Sequence, residues 1–170
     1  SGGGGSDGAG LVPFEATGEI PEAFPLSEGQ KALWFLNRLA PDSSAYNLNF
    51  SGKFRPLLDI AAMKKAFALL FERHPLMDAT FATRGGQPVQ IVHKGRTIDF
   101  REHDCTALDD EQLKALVSEH AGRPFHLERG PVVRLELFRT ADNAHVALLS
   151  MHHIVSDAWS VSVLIQDLIE

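Results

Sequence analysis

Cys105 is the only cysteine in the 170 residues. No intrachain disulfide can form, and a reducing compartment is the natural setting. No apolar run approaches the ~20 residues needed to span a bilayer, and the N-terminus lacks the basic and apolar regions of a secretory signal. The expectation is a cytoplasmic protein without membrane contact. Basic residues are missing from both ends, since none precedes Lys31 or follows Arg139. With a net charge of −6 there is no electrostatic reason to expect a nucleic-acid partner. His93, His103, His120, His126 and His145 lack the spacing of a metal site, so no metal is expected. Internal repeats are absent. The composition is ordinary, with 44% apolar and 22% charged residues, and the length suffices for one domain with a real core.

The first ten residues, SGGGGSDGAG, are flexible spacer or a cloning scar, and the proline-containing stretch after them is an extended lead-in. Residues 1–24 are thus assigned to linker and 25–170 to the folded unit, with order expected from Ser27. Ser27 and Gln30 form a capping-box pattern, and the helix they open places Leu33, Trp34, Leu36 and Leu39 on or near one face before Pro41 stops it. YNLNFSGKF alternates as a strand. Asp59 caps a second helix whose buried face is Ile60, Met63, Phe67, Leu70 and Phe71, ending at His74-Pro75. A hairpin turns at Gly85-Gly86, TIDFREHD makes another strand, and an acidic-first helix ends at Gly122 in a glycine cap. PVVRLELFR alternates, with Val133, Leu135 and Leu137 on one face. AHVALLSMHH is nearly all apolar, as a strand covered on both faces would be. Asp157 caps a last helix that is still periodic at residue 170, which suggests an end near or inside that helix. Both helices and strands are expected.

The stretch SMHHIVSDAW, Ser150 to Trp159, carries the chemistry. Adjacent strand residues point to opposite faces, so His152 and His153 cannot share one cavity. One should face a cleft while hydrogen bonds hold the other inside. Imidazole suits proton transfer near neutral pH. From the residues alone two readings stay open: a strand end with satisfied polar groups, or an acid/base site.

The same stretch resembles the HHxxxDG signature of nonribosomal peptide synthetase condensation domains, here as His152, His153, Asp157 and Ala158. LSEGQKALWFL resembles that family's first core motif, and RHPLMDATF its second, usually RHExLRTxF. RPFHLERGPVVRLEL is similar to the segment before the family's hairpin. The resemblance implies the α+β class, a chloramphenicol-acetyltransferase-like two-layer α/β sandwich, one lobe of a pseudo-dimeric domain. It implies amide formation between a donor acyl or peptidyl thioester and an acceptor aminoacyl thioester. Both would ride on the phosphopantetheine arms of carrier proteins, with no cofactor bound covalently. His153 would then be catalytic. His152, Asp157 and Arg73 would support the site, and Ala158, Trp159 and Ser160 would line the channel. The partners implied are donor and acceptor carrier proteins and a C-terminal lobe, without which this lobe is expected to be inactive.

Two departures stand out. Ala158 replaces the usual glycine, and Asp78 stands where the family carries the arginine that partners the signature aspartate. Two carboxylates brought together would repel each other. Arg73 or Arg134 could supply the cation instead. These departures leave room for a non-catalytic platform for carrier proteins. A coenzyme A-dependent acyltransferase of the same superfamily is the other alternative.

Overall fold

The computed structural model describes residues 22–54, 58–93, 95–96 and 98–155. In chain order these form β1 (Glu22–Pro25), α1 (Glu28–Leu39), β2 (Asn47–Phe54), α2 (Ile60–Arg73), β3 (Ala79–Arg84), β4 (Gln87–Val92), β5 (Asp99–Asp104), α3 (Asp110–Ala121), β6 (Val133–Arg139) and β7 (His145–His152). Short 3-10 turns cover Pro75–Asp78 and His153–Val155. The mixture is α+β, as the resemblance implies.

Among the described residues the strands make two sheets. The smaller has the order β1-β4-β3, all antiparallel. The larger has the order β2-β7-β6-β5, in which only the β5–β6 pair is parallel. A parallel pair needs a crossover, and α3 supplies it. β7 lies between β2 and β6, which explains its apolar sequence.

The helix caps follow the sequence. The Ser27 hydroxyl accepts the Gln30 N–H at 3.2 Å, and the Ser27 N–H donates to Gln30 Oε1 at 3.1 Å, a complete capping box. Asp59 caps α2 through the Ala62 N–H. Gly85 and Gly86, at φ +56° and +77°, form the two-residue turn between β3 and β4, a conformation that favours glycine at both positions.

Apolar side chains gather on both faces of the large sheet. Met63, Phe67 and Leu70 of α2 join Leu135, Leu137, Leu149 and Met151 in the main cluster, with Trp34 and Phe81. On the opposite face Phe138, Leu148 and Cys105 pack beneath Leu113, Leu116 and Val117 of α3.

Two expectations need correction. Order begins at least five residues before Ser27, because the end of the lead-in pairs with β4 as strand β1. In α1, Leu36 and Leu39 do not join the core, where only Trp34 is fully buried. Residues 33–36 are all apolar but stand 100° apart around the helix, so they cannot all face inward; Phe35 and Leu39, four apart, point out together at 63% and 67% exposure. In β6, Val133, Leu135 and Leu137 are buried as expected, and Arg134 and Glu136 on the other face are buried too, beneath α3. Gly122 caps α3 as expected, at φ −80°.

Candidate functional site

The histidine pair sits where the central strand ends. His152 is the last residue of β7, and His153 opens the 3-10 turn. The pair divides as strand geometry requires. His152 is 2% exposed, whereas the His153 side chain is exposed. The backbone holds both in place: the His152 N–H donates to Val132 O and the His153 N–H to Tyr46 O, each at 2.9 Å.

His152 is bound as a neutral ring. Its Nδ1 accepts the Ile154 N–H at 3.0 Å. A peptide N–H can only donate, so Nδ1 carries the lone pair and the ring proton belongs on Nε2. Tyr46, at 6.4 Å between centroids, and Phe125, at 6.5 Å and edge-on, flank the ring. Burial, followed by the proximity of His153, pushes the His152 imidazole down to about 4.

That shift predicts a pH dependence of stability. The unfolded chain protonates a histidine near 6.5, while folded His152 resists until about 4. Between those values the unfolded state holds the extra proton, so stability falls as pH drops from 6.5 to 4 and levels off below. The loss should approach about 3 kcal/mol. Burial lowers His93 too, and it acts in the same direction. The check is therefore a difference: urea unfolding at pH 7, 5.5 and 4, for the wild type and His152→Gln. The variant should show a flatter profile, and an equal slope would place the titration elsewhere.

The turn is also tied to the first helix. Gln30 Nε2 donates to Ile154 O and to Gln90 Oε1, both at 3.1 Å. One carboxamide therefore joins the α1 cap, β4 and the histidine turn. Asn47, paired with His152 in register, donates from Nδ2 to Ala121 O at 3.2 Å and Arg123 O at 2.8 Å. This fastens the same end of β2 to the end of α3.

Sequence reasoning missed the supporting roles of Gln30, Tyr46, Asn47 and Phe125. Gln30 was legible only as a cap. Tyr46 precedes a strand with no local mark of a partner more than a hundred positions away.

The supporting residues fare differently. Arg73 ends α2 and is exposed. Asp157, Ala158, Trp159 and Ser160 lie outside the described residues. Asp78 is buried and has its own partner: Oδ2 accepts the Arg96 N–H at 3.1 Å, and Oδ1 lies 3.9 Å from Arg96 Nε. Burial pushes the Asp78 carboxyl up, and Arg96 pulls against that. Arg96 also donates to Arg129 O at 2.6 Å and lies over Gly130, at φ +63°, where a Cβ would meet its Nη1 at 3.2 Å. Asp78 thus anchors the connection after β4.

Arg134, considered as a cation for Asp157, is committed on the α3 side. It donates to Arg123 O and, at 3.4 Å, to His120 O. Its guanidinium stands 4.1 Å from the Phe125 ring centroid. Burial, with nearby Arg123, pushes it down to about 10.

The histidines that look scattered in sequence are partly gathered. His103 Nε2 (3.1 Å), His120 Nδ1 (2.8 Å) and Arg123 Nη2 (2.8 Å) all bond Glu136 Oε1, and Glu136 is fully buried. Burial alone would raise the Glu136 carboxyl, but the His120 bond, the Arg123 charge and the His103 bond together hold it below its ordinary value. Ligand atoms of His103, His120 and Glu136 lie within 4.8 Å of one another. Oε1 already receives three donors, and Arg134 Nε stands 3.9 Å from Oε2. Two guanidinium groups so close oppose a divalent cation, so this set is built as a carboxylate anchor joining β5, α3 and β6.

Among the described residues no helix is long and apolar enough to cross a membrane. A family model described as a condensation domain matches residues 20–170. A linear gramicidin synthase of Brevibacillus parabrevis is 41% identical over 152 residues, 86% of this chain and 2% of that protein. Bacitracin synthase 2 of Bacillus licheniformis is 36% identical over 149 residues, 88% of this chain and 6% of that protein. The chain therefore spans only a few per cent of the length of these curated relatives. Among solved structures, the starter condensation domain of rhizomide synthetase superposes with a TM-score of 0.78 at 21% identity, covering 86% of this chain and 36% of that one. The first condensation domain of the CDA synthetase gives 0.75 at 20% identity, covering 88% and 39%. These likenesses carry the fold, a chloramphenicol-acetyltransferase-like α+β arrangement.

Proposed function

Because this chain belongs to the condensation-domain family, we propose that it forms one lobe of a domain that joins a donor acyl or peptidyl thioester to an acceptor amine, with His153 at the reacting centre. The observation that carries this reading is the division of the histidine pair. His153 is exposed at the end of the central strand with its backbone fixed to Tyr46 O, while His152 is buried and neutral behind it. In the reaction the amine nitrogen bonds to the thioester carbonyl carbon, the C–S bond breaks, and the thiol leaves with the proton the amine loses. A thioester is already activated, so the protein has to align the partners and manage that one proton. His153 orients the amine or takes its proton. His152 holds the turn through Ile154. Asp157 and Arg73 brace the loop, and Ala158, Trp159 and Ser160 line the channel.

The substrates in this reading are carried on phosphopantetheine arms by donor and acceptor carrier proteins, and a C-terminal lobe supplies the other wall. The experiment uses a longer protein that contains this segment and both lobes. An acyl-loaded carrier and an aminoacyl-loaded carrier are mixed with it, and intact mass follows amide formation on the acceptor. Product is expected from the carrier-bound donor. Product from an acyl-coenzyme A donor without a donor carrier would favour the coenzyme A-dependent alternative. No product with several donors would favour a non-catalytic platform.

A further inference from the structure

We infer that Gln30 is a positioning residue for His153, acting through the carbonyl of Ile154. This rests on the function proposed above and adds a residue outside the histidine signature. Gln30 lies in the first turn of α1 and is half-buried. Its carboxamide is fully used: Oε1 accepts the Ser27 N–H, and Nε2 donates one hydrogen to Ile154 O and the other to Gln90 Oε1.

The Ile154 peptide is the pivot of the turn. Its N–H is held by His152 Nδ1 at 3.0 Å, and its carbonyl by Gln30 Nε2 at 3.1 Å. His153, immediately before it, is held through its own N–H by Tyr46 O at 2.9 Å. Three bonds from three elements thus fix two successive residues where the strand ladder has stopped. Tyr46, just before β2, and β7 fix the start of the turn; among the described hydrogen bonds it is the Gln30 bond that ties the far side to another element, while Ile154 and Val155 pack in and against the core. An exposed side chain that must meet a reacting amine needs its backbone held to well under an ångström. The Gln30 bond contributes part of that restraint.

The dual role permits a clean test. Gln30→Glu keeps an oxygen for the Ser27 N–H, and glutamate is the usual residue at this place in a capping box. It removes the donor to Ile154 and sets a carboxylate oxygen against that carbonyl. Gln90 can turn its own amide to donate to the new carboxylate, whereas the Ile154 carbonyl can only accept. The substitution therefore spares the helix and the β4 contact and cuts the link to the turn. Ser27→Ala does the reverse, weakening the cap and leaving the link.

In the two-lobe protein, Gln30→Glu should lower kcat about 10-fold, the scale of one lost hydrogen bond plus a repulsive contact. KM for either loaded carrier should stay within twofold. Hydrogen exchange at the His153 peptide N–H should speed up about 10-fold, with Tm nearly unchanged. Ser27→Ala should lower Tm yet leave kcat within twofold. The inference is overturned if Gln30→Glu leaves both kcat and His153 exchange unchanged, or if Ser27→Ala lowers kcat as much as Gln30→Glu does. If the wild type forms no amide at all, the functional proposal fails by itself, and exchange at His153 in Gln30→Glu still decides whether Gln30 holds the turn.

Discussion

His153→Ala, in a longer protein carrying this segment and both lobes, should slow amide formation by about 10²-fold or more, the range of a group that manages a proton in the transition state. His152 cannot substitute for it. Its ring is buried, its Nδ1 is occupied by the Ile154 N–H, and burial has pushed it down to about 4. The His153 ring is exposed, so stability should change by no more than about 0.5 kcal/mol, and lost rate cannot be ascribed to unfolding. His153→Gln separates the two roles left open. Glutamine can still hydrogen-bond an amine but cannot take its proton. Activity near wild type in His153→Gln would assign orientation, and activity as low as in alanine would assign proton transfer. Undiminished product with alanine would remove His153 from the chemistry.

The largest effect on stability is expected at Glu136. Alanine there would strand two imidazole N–H donors and the Arg123 guanidinium around an empty space, with Arg134 close by. Leaving a buried ionic group without its partner costs about 3–5 kcal/mol. Domains of this size hold only about 5–15 kcal/mol in total. Glu136→Ala should therefore shift the urea midpoint strongly, and Glu136→Gln, which keeps an acceptor but not the charge, should fall between. A loss below about 1 kcal/mol for the alanine would mean that water or rearranged side chains satisfy the group. The acid dependence has a definite sign. Folded Glu136 resists protonation more than an unfolded glutamate does. Its contribution is present above the ordinary glutamate range and is lost as pH falls through the lowered folded value, so its onset overlaps the acid end of the window in which His152 acts.

What the sequence made legible was what depends on neighbours along the chain. The caps at Ser27 and Asp59, the Gly85-Gly86 turn and the opposite facing of His152 and His153 all follow from contacts within a few residues. The fold class was legible through the resemblance carried by the motifs around Ser27, Arg73 and His152, while the helical and strand periods marked the individual elements. The supporting shell was not. Glu136 collects donors from positions 103, 120 and 123, which reach it only after α3 has crossed over to β6. No spacing rule announces that. β1 was hidden for a related reason: its four residues are exposed and end in proline, and what makes them a strand is pairing with β4, far along the chain at Val89 to Val92. In α1 the error was one of period, since four successive apolar residues overstate the buried face.

The pairing of β2 with β7 sets the timetable by which this site is made. Asn47 meets His152, and every other strand and helix from α2 through β6 lies between them in sequence. On a ribosome adding 5–20 residues per second, β2 would emerge roughly 5–20 seconds before its partner. During that wait one strand edge is open to other nascent chains. Its composition suits the delay: Asn47, Asn49, Ser51, Gly52 and Lys53 give it polar, flexible and charged positions with little to attract a stray strand. Tyr46 reaches His153 only when that register closes, so His153 can gain its backbone anchor only after β7 has been made.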